Sequence, residues 1–347
     1  YHNQQKPDEY NINNHDINQW TQSDYLQSVR KSFLEDERHP GCKDCWEFED
    51  KGFPSYRLRT QKEYSILGID TSNPEIHNVE IDLGNLCNLK CLMCGESNSS
   101  AILYENKILG INEIEQSDIV WTDQAMHHVK KIIQSKPKIL NIRGGEPLYE
   151  KRLLKLLQDV SADDAKKMII HLTTNATVWT DKWEQVLRKF RLVRFMFSLD
   201  AIGKEYEYIR FPASWSTVEN NIKQIQKMSN AKCMVHAVVM NLNILHFRSL
   251  IEWCNQNNLY LDVVLNIRPD VLIIDNLPDE LKQKAISHCD SIITMDNIDD
   301  RLVSFFTECQ SILKSSLNII NTKWPDFLDY IEPKDNLRKN RYSTVIY

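Results

Sequence analysis

The stretch Val79-Glu80-Ile81-Asp82-Leu83-Gly84-Asn85-Leu86-Cys87-Asn88-Leu89-Lys90-Cys91-Leu92-Met93-Cys94 decides how the rest of the chain is read. Its first half alternates apolar Val79, Ile81 and Leu83 with acidic Glu80 and Asp82, the period-two pattern of a half-buried strand. Its second half is a loop with cysteines at C-x3-C-x2-C spacing. Nine cysteines in 347 residues would give such a triple on the order of 0.006 times by chance. Thiolates crowded this closely repel one another or oxidise unless a soft metal centre neutralises them. Tetrahedral zinc wants a fourth ligand, and His127 and His128 lie more than thirty residues on. A cubane iron–sulfur cluster held by three cysteines instead leaves one iron open to a cofactor or substrate.

Outward from this loop the chain keeps a steady rhythm. Strand-like runs recur at Lys138–Arg143, Lys167–Thr174, Leu192–Leu199, Cys233–Met240 and Tyr260–Asn266. Helical patterns separate them at Leu153–Val160, Lys182–Lys189, Val218–Met228 and Leu245–Gln256. Alternation of this kind predicts an α/β fold of parallel βα units. Six units are too few for an eight-stranded barrel, so the expectation is an open, partial (β/α)6 TIM barrel. Beyond residue 278 the pattern is helical only, at Asp279–Thr294, Asp299–Leu317 and Lys323–Ile331. Towards the N-terminus, residues 1–20 are rich in Asn, Gln and Asp and read as extended or poorly packed. A helical spacing runs from Trp20 to Phe33, His39-Pro40-Gly41 breaks it, residues 42–60 form a short cysteine-bearing piece, and Thr60–Pro74 reads as a linker. The expected organisation is a small N-terminal cysteine-bearing segment (1–74), a catalytic core (75–275) and a C-terminal helical extension (276–347).

Composition bounds the function. A net charge of −6 and pI near 6.0 give no electrostatic footprint for nucleic acid, and no partner of that kind is expected. No apolar run approaches the ~20 residues needed to span a bilayer, and no secretory signal is visible, so no membrane partner and a cytoplasmic location are expected. Cys233, Cys254, Cys289 and Cys309 stand alone in apolar or helical contexts and read as core residues.

In parallel βα architecture ligands bind at the C-terminal ends of the strands. The second strand ends in Gly144-Gly145-Glu146-Pro147, where paired glycines allow close backbone approach and a carboxylate can accept from an ammonium. The alternative is a Gly-Gly turn capping the next helix. The third strand ends in Thr173-Thr174-Asn175-Ala176, the fourth in Phe197-Ser198-Leu199-Asp200 with Arg210 following, and the fifth in Val239-Met240-Asn241. For Ser198 and Arg210 the alternatives are a strand-end cap and a surface salt bridge.

These motifs, in this order over roughly residues 78–270, resemble those of the radical S-adenosylmethionine (SAM) superfamily. The resemblance implies a [4Fe–4S] cluster on Cys87, Cys91 and Cys94, whose open iron chelates SAM. It implies that Met93, a departure from the commoner aromatic, packs near the adenine, and that Gly144, Gly145 and Glu146 bind the methionyl amine. Ser198 and Arg210 would hold the SAM carboxylate. Asn175, in a sequence similar to the family's T-N-G, and Val239, through backbone contacts to adenine, would complete the pocket. A reducing partner such as flavodoxin or ferredoxin is implied as well.

A second cysteine pair stands at Pro40-Gly41-Cys42-Lys43-Asp44-Cys45-Trp46, followed by Glu49, Gly52 and Arg57. C-x2-C is a half-site for zinc or an iron–sulfur cluster, or a redox dithiol. The segment resembles the auxiliary-cluster segment of SPASM/twitch radical SAM proteins in which that segment precedes the barrel, which implies a second cluster on Cys42 and Cys45. On that resemblance the substrate is a peptide. The rival expectations are a radical SAM enzyme acting on a small metabolite or nucleoside, and a non-catalytic electron-relay protein. Glu96 and Asp200 lie near the motifs, but the sequence assigns neither a role, nor any residue as general base.

Overall fold

A computed structural model describes residues 17–70, 76–111, 121–319, 323–341 and 346. The chain forms two compact units, one of residues 1–81 with 121–140, the other of residues 82–120 with 141–347. The C-terminal helices lie in the second of these units. Among the described residues no helix is long and apolar enough to cross a membrane.

The elements follow in the order α1 (Ile17–Thr21), α2 (Asp24–Leu34), α3 (Lys43–Asp50), α4 (Tyr56–Leu67), β1 (Asn78–Asp82), α5 (Ser100–Leu109) and α6 (Asp123–Gln134). Then come β2 (Ile139–Arg143), α7 (Lys151–Gln158), α8 (Ala162–Ala165), β3 (Ile169–Thr174), α9 (Asp181–Leu187), β4 (Leu192–Ser198), α10 (Gly203–Ile209) and α11 (Trp215–Ile225). The chain ends with β5 (Ala231–Val239), α12 (Phe247–Gln256), β6 (Tyr260–Leu265), α13 (Asp279–Ile293), α14 (Asp300–Ser315) and α15 (Lys323–Arg338). All six expected strands are present, and they order sequentially from β1 to β6, an α/β partial barrel.

In β3 to β6 the register is parallel, with Thr173 opposite Met196, Met196 opposite Met234, and Ser198 opposite His236, itself opposite Asp262. Successive side chains of a strand point to opposite faces. Val193, Phe195, Phe197, Val235, Ala237 and Val239 lie on one face and are fully buried. Arg194, Met196, Ser198, Met234 and His236 lie on the other and are half-buried, so this second face is the open one.

In the first unit the chain departs from expectation twice. Residues 17–21 are helical, while residues 1–16 lie outside the described residues. The stretch read as a linker from Thr60 is largely helix α4, capped by Ser55 and ended by Gly68 in the left-handed region (φ 63°). It has no apolar stripe and no buried residue, so hydrophobic periodicity could not reveal it. Cys42 closes a 3-10 turn and Cys45 stands in α3, both half-buried and free. Trp46 lies between the guanidiniums of Arg38 and Arg57, 5.3 and 4.6 Å from its ring centre. Glu49 accepts from Arg57 Nε (3.1 Å) and from the Ser55 hydroxyl. The Trp46, Glu49 and Arg57 that follow the cysteine pair in sequence thus brace its helix.

In the second unit, α15 runs past Pro333, further than the expected stop at Ile331, because its second half is held by polar contacts. The Tyr208 hydroxyl donates to Asp335 (2.9 Å), and Arg338 donates from Nε to Glu105 Oε1 (2.9 Å) and from Nη2 to the Lys90 carbonyl (2.9 Å). The Arg338–Glu105 side chains are 4% and 0% exposed, a pair taken wholly out of water. Glu105 also meets Lys90 Nζ at 3.5 Å, so losing Arg338 leaves its charge with one partner. Arg338→Met is therefore expected to cost about 2–3 kcal/mol of unfolding free energy, the worth of its charge-assisted hydrogen bonds. The double variant with Glu105→Leu should recover most of that loss, both read by urea unfolding.

Candidate functional site

The site grows from the loop between β1 and α5. Its backbone groups are claimed from several directions. Lys90 N–H donates to the Phe211 carbonyl (2.6 Å) and Leu92 N–H to Ile209 (3.0 Å). The Leu89 carbonyl accepts from the Ser99 hydroxyl (2.5 Å), the Leu92 carbonyl from the Tyr330 hydroxyl (2.6 Å), and the Leu86 carbonyl from Glu146 N–H (2.8 Å). Asn85 donates to the Glu96 carbonyl (2.8 Å), and the Glu96 carboxylate accepts from Asn106 (2.8 Å), which makes Glu96 a brace of this loop. A loop satisfied this fully holds its side chains in one arrangement.

Cys87, Cys91 and Cys94 are brought together. Burial pushes the Cys87 thiol up to about 12, with Cys91 adding to it. Cys91 and Cys94 share a hydrogen bond that lowers Cys91 and, with burial, raises Cys94. Three N–H groups point at sulfur: Leu89 N to Cys87 Sγ (3.4 Å), Asn175 Nδ2 to Cys87 Sγ (3.9 Å) and Arg210 Nη1 to Cys91 Sγ (3.7 Å). Among the described residues no group of three or more His, Cys, Asp or Glu side chains could hold a metal ion. A single zinc draws three sulfurs tightly round one point, whereas a cubane takes each thiolate on a different iron and spreads them. Thiols gathered in one loop, with N–H donors on the sulfurs, fit the cluster.

At the end of β2, Gly144 (φ 92°) and Gly145 (φ 48°) are both left-handed. A Cβ on Gly144 would collide with the Asp82 carboxylate and Leu83 backbone, and one on Gly145 with the Leu86 carbonyl. The close approach these glycines permit is to the end of β1 for Gly144 and to the cysteine loop for Gly145. Glu146 is buried, and its carboxylate accepts from Leu148 N (3.0 Å), the Thr174 hydroxyl (2.6 Å) and Asn175 N (2.6 Å). The helix-capping alternative is thus realised in the short turn at Pro147–Tyr149. Three of about four lone-pair positions are filled, which leaves one for an ammonium. Burial raises Glu146 to about 7 against the pull of those three donors.

The remaining expected residues divide. Asn175 joins the site: its amide reaches Cys87 and Asn88 Oδ1 (3.2 Å), while its Oδ1 accepts from Thr177. The following Ala176 is left-handed (φ 56°), which gives a physical reason for glycine at this place in similar sequences. Met93 is half-buried in the cysteine loop. Ser198 ends β4 on the open face, level with His236, whose Nδ1 meets Asp262 Oδ2 at 2.8 Å. Val239 is fully buried and its carbonyl accepts from Asn266 N (2.9 Å). Arg210 makes no surface salt bridge: it is 7% exposed and donates from Nε to Asp200 Oδ2 (2.7 Å). Asp200 is fully buried, accepts from Val238 N (2.9 Å) through Oδ1, and is braced by Asn243 on its carbonyl (2.8 Å). Asp200, Asn243, Tyr330 and Arg338 carry no sequence signal of their own beyond the S-x-D spacing. Cys42 and Cys45 belong to the other unit, and no third metal-ligating side chain joins them among the described residues.

The family model described as "Radical SAM superfamily" matches residues 81–254, half the chain and all the strand ends just described except that of β6. The chain belongs to the radical SAM superfamily. This is a superfamily of enzymes whose cofactors are a [4Fe–4S] cluster and SAM. Among curated relatives, the chain is similar to a probable GTP 3',8-cyclase of Methanococcus maripaludis (strain C6), at 24% identity over 196 residues. That match covers 56% of this chain and 60% of the relative. A probable GTP 3',8-cyclase of Methanocaldococcus jannaschii is 26% identical over 243 residues, or 67% of this chain and 74% of the relative. The chain thus spans about 60% of the length of the first of these radical SAM relatives. Among solved structures it is similar to native anSMEcpe with bound AdoMet (15% identity, TM-score 0.43, 62% of this chain and 59% of that one). It is also similar to Streptococcus suis SuiB bound to precursor peptide SuiA (14%, TM-score 0.42, 82% and 60%).

Two outcomes follow for this radical SAM site. Gly145→Ala combines left-handed strain with a clash against Leu86, so it is expected to cost about 2 kcal/mol or more and to lower iron uptake on reconstitution. Glu146 holds its proton more tightly folded than unfolded. In the metal-free protein its contribution is therefore fully present below the ordinary value of 4.5 and is lost as pH rises through about 7. Urea unfolding across that window should show stability falling with pH, and Glu146→Gln should flatten the slope.

Proposed function

We propose that this chain is an enzyme that reductively cleaves SAM and abstracts hydrogen from a substrate. The observation that carries it is the partly buried loop in which Cys87, Cys91 and Cys94 converge, with N–H donors on the Cys87 and Cys91 sulfurs, inside the radical SAM match. When bound, the cluster supplies the electron that splits SAM to a 5′-deoxyadenosyl radical, the species that takes hydrogen from substrate. The protein's part is positioning. Asn88 and Asn175 tie the cysteine loop to the end of β3, and Tyr330 and Arg338 close it from α15. Glu146 offers its remaining lone pair to the methionyl amine, beside the Gly144–Gly145 turn. Ser198 and the remaining N–H groups of Arg210 would hold the carboxylate, and Met93 would pack near the adenine. The nine cysteines are all free, which fits a reducing cytoplasm and a flavodoxin- or ferredoxin-like electron donor.

Two substrate readings have separate support. A peptide substrate, with an auxiliary cluster at Cys42 and Cys45, is supported by the resemblance of the N-terminal segment to SPASM/twitch proteins. A nucleotide or other small metabolite is supported by the curated relatives named GTP 3',8-cyclase. At 24–26% identity the likeness to those relatives bears on the substrate only by analogy.

Anaerobic reconstitution followed by dithionite reduction is expected to yield 5′-deoxyadenosine from SAM, and none from loaded protein would overturn the enzyme reading. Replacing Cys87, Cys91 and Cys94 with Ala should abolish product, whereas Cys42→Ala with Cys45→Ala should leave uncoupled cleavage measurable. Iron analysis should find about eight irons per chain if an auxiliary cubane forms and about four if it does not. Added GTP should be consumed in step with 5′-deoxyadenosine on the nucleotide reading and left intact on the peptide reading.

A further inference from the structure

We infer that Arg210 is a positioning residue for the cluster, whose charge, held by Asp200 against the Cys91 sulfur, sets the ease with which the cluster is reduced. The inference rests on the reading of the cysteine loop as the cluster site. It differs from the role the family resemblance implies, which gives Arg210 to the SAM carboxylate.

The argument begins with the backbone. Lys90 N–H to the Phe211 carbonyl and Leu92 N–H to the Ile209 carbonyl run the two segments antiparallel, which sets Cys91 directly opposite Arg210. The guanidinium is then fixed at two corners. Nε donates to Asp200 Oδ2 at 2.7 Å, and Nη1 reaches Cys91 Sγ at 3.7 Å. Asp200 in turn is locked by Val238 N–H on its carboxylate and Asn243 on its carbonyl. Exposure of the Arg210 and Asp200 side chains is 8% and 0%, so water screens neither charge. The cationic end of the pair touches sulfur, while its anionic end lies behind.

Three thiolates on a cubane carry net negative charge, and reduction adds one electron and no proton. The reduced state is the more negative, so a cation at one sulfur favours it, and so does an N–H donor on that sulfur. Asp200 opposes this from further away. Of the fork's five N–H donors, two are used among the described residues, which leaves others for a SAM carboxylate without giving up the sulfur contact.

The test is an EPR-monitored reductive titration of reconstituted protein without SAM, so that no carboxylate is present. Arg210→Gln is expected to lower the reduced-to-oxidised ratio at a fixed potential about tenfold, equal to ~59 mV for one electron. Asp200→Asn should shift the potential the opposite way, because it unmasks the cation. Opposite signs separate an electrostatic role from a packing one, which would move both variants together. If Asp200→Asn does not load, Arg210→Lys serves, since it retains the charge and should recover at least half of the Gln shift. An unmoved potential in Arg210→Gln, shifts of the same sign, or no recovery by Lys would overturn the inference. Weakened SAM binding with an unmoved potential would assign Arg210 to the carboxylate alone. Wild-type protein that takes no cubane would overturn the functional reading and this inference together; loaded protein with unmoved potentials would overturn only the inference.

Discussion

The second unit is organised round the cost of burying much of the backbone of an eleven-residue loop, Gly84 to Cys94. Every buried N–H and C=O that water no longer serves must find a partner in the protein. The partners come from α5 through Ser99 and Ser100, from the end of β2 through Glu146, from the segment after α10 through Ile209 and Phe211, and from α15 through Tyr330 and Arg338. Elements far apart in sequence are drawn onto the loop, α15 among them. This explains the buried Glu105–Arg338 pair: a charge on α5 and one on α15 meet beside the loop and close it from outside.

The same constraint accounts for residues whose chemistry suggested ligand binding. Gly144 and Gly145 are glycines because the end of β1 and the cysteine loop, respectively, pass where a Cβ would stand. Glu146 and Asn175 bond one another's neighbourhood as well as the loop, so the ends of β2 and β3 form one polar layer. Structural and cofactor roles are not alternatives here. A side chain already held by two or three hydrogen bonds pays little further entropy to meet a ligand, which is how a site becomes preorganised.

Much of the fold was legible because it is periodic. The strands from β2 to β6 and helices α7, α9 and α11 to α14 carry apolar residues at spacings that only burial explains. Helix α4 was not legible, since a helix with no buried face leaves no stripe in the sequence. Nor was the second half of α15, where Pro333 signals a stop that Asp335 and Arg338 override through contacts with Tyr208 and Glu105. Asp200 stood in view, but its task of aiming Arg210 depends on a neighbour ten residues away in the chain and a sulfur from a different loop.

The sequence by itself determined the three cysteines, their place after the first strand, and the order of polar motifs at later strand ends, because each is a local pattern of residue type and spacing. Only the tertiary structure decided what Arg210 touches, that Glu146 is already bonded by three donors, and that the C-terminal helix closes the cysteine loop. Those facts depend on which distant groups burial forces together, and pairing between distant segments leaves no trace in the spacing of either one.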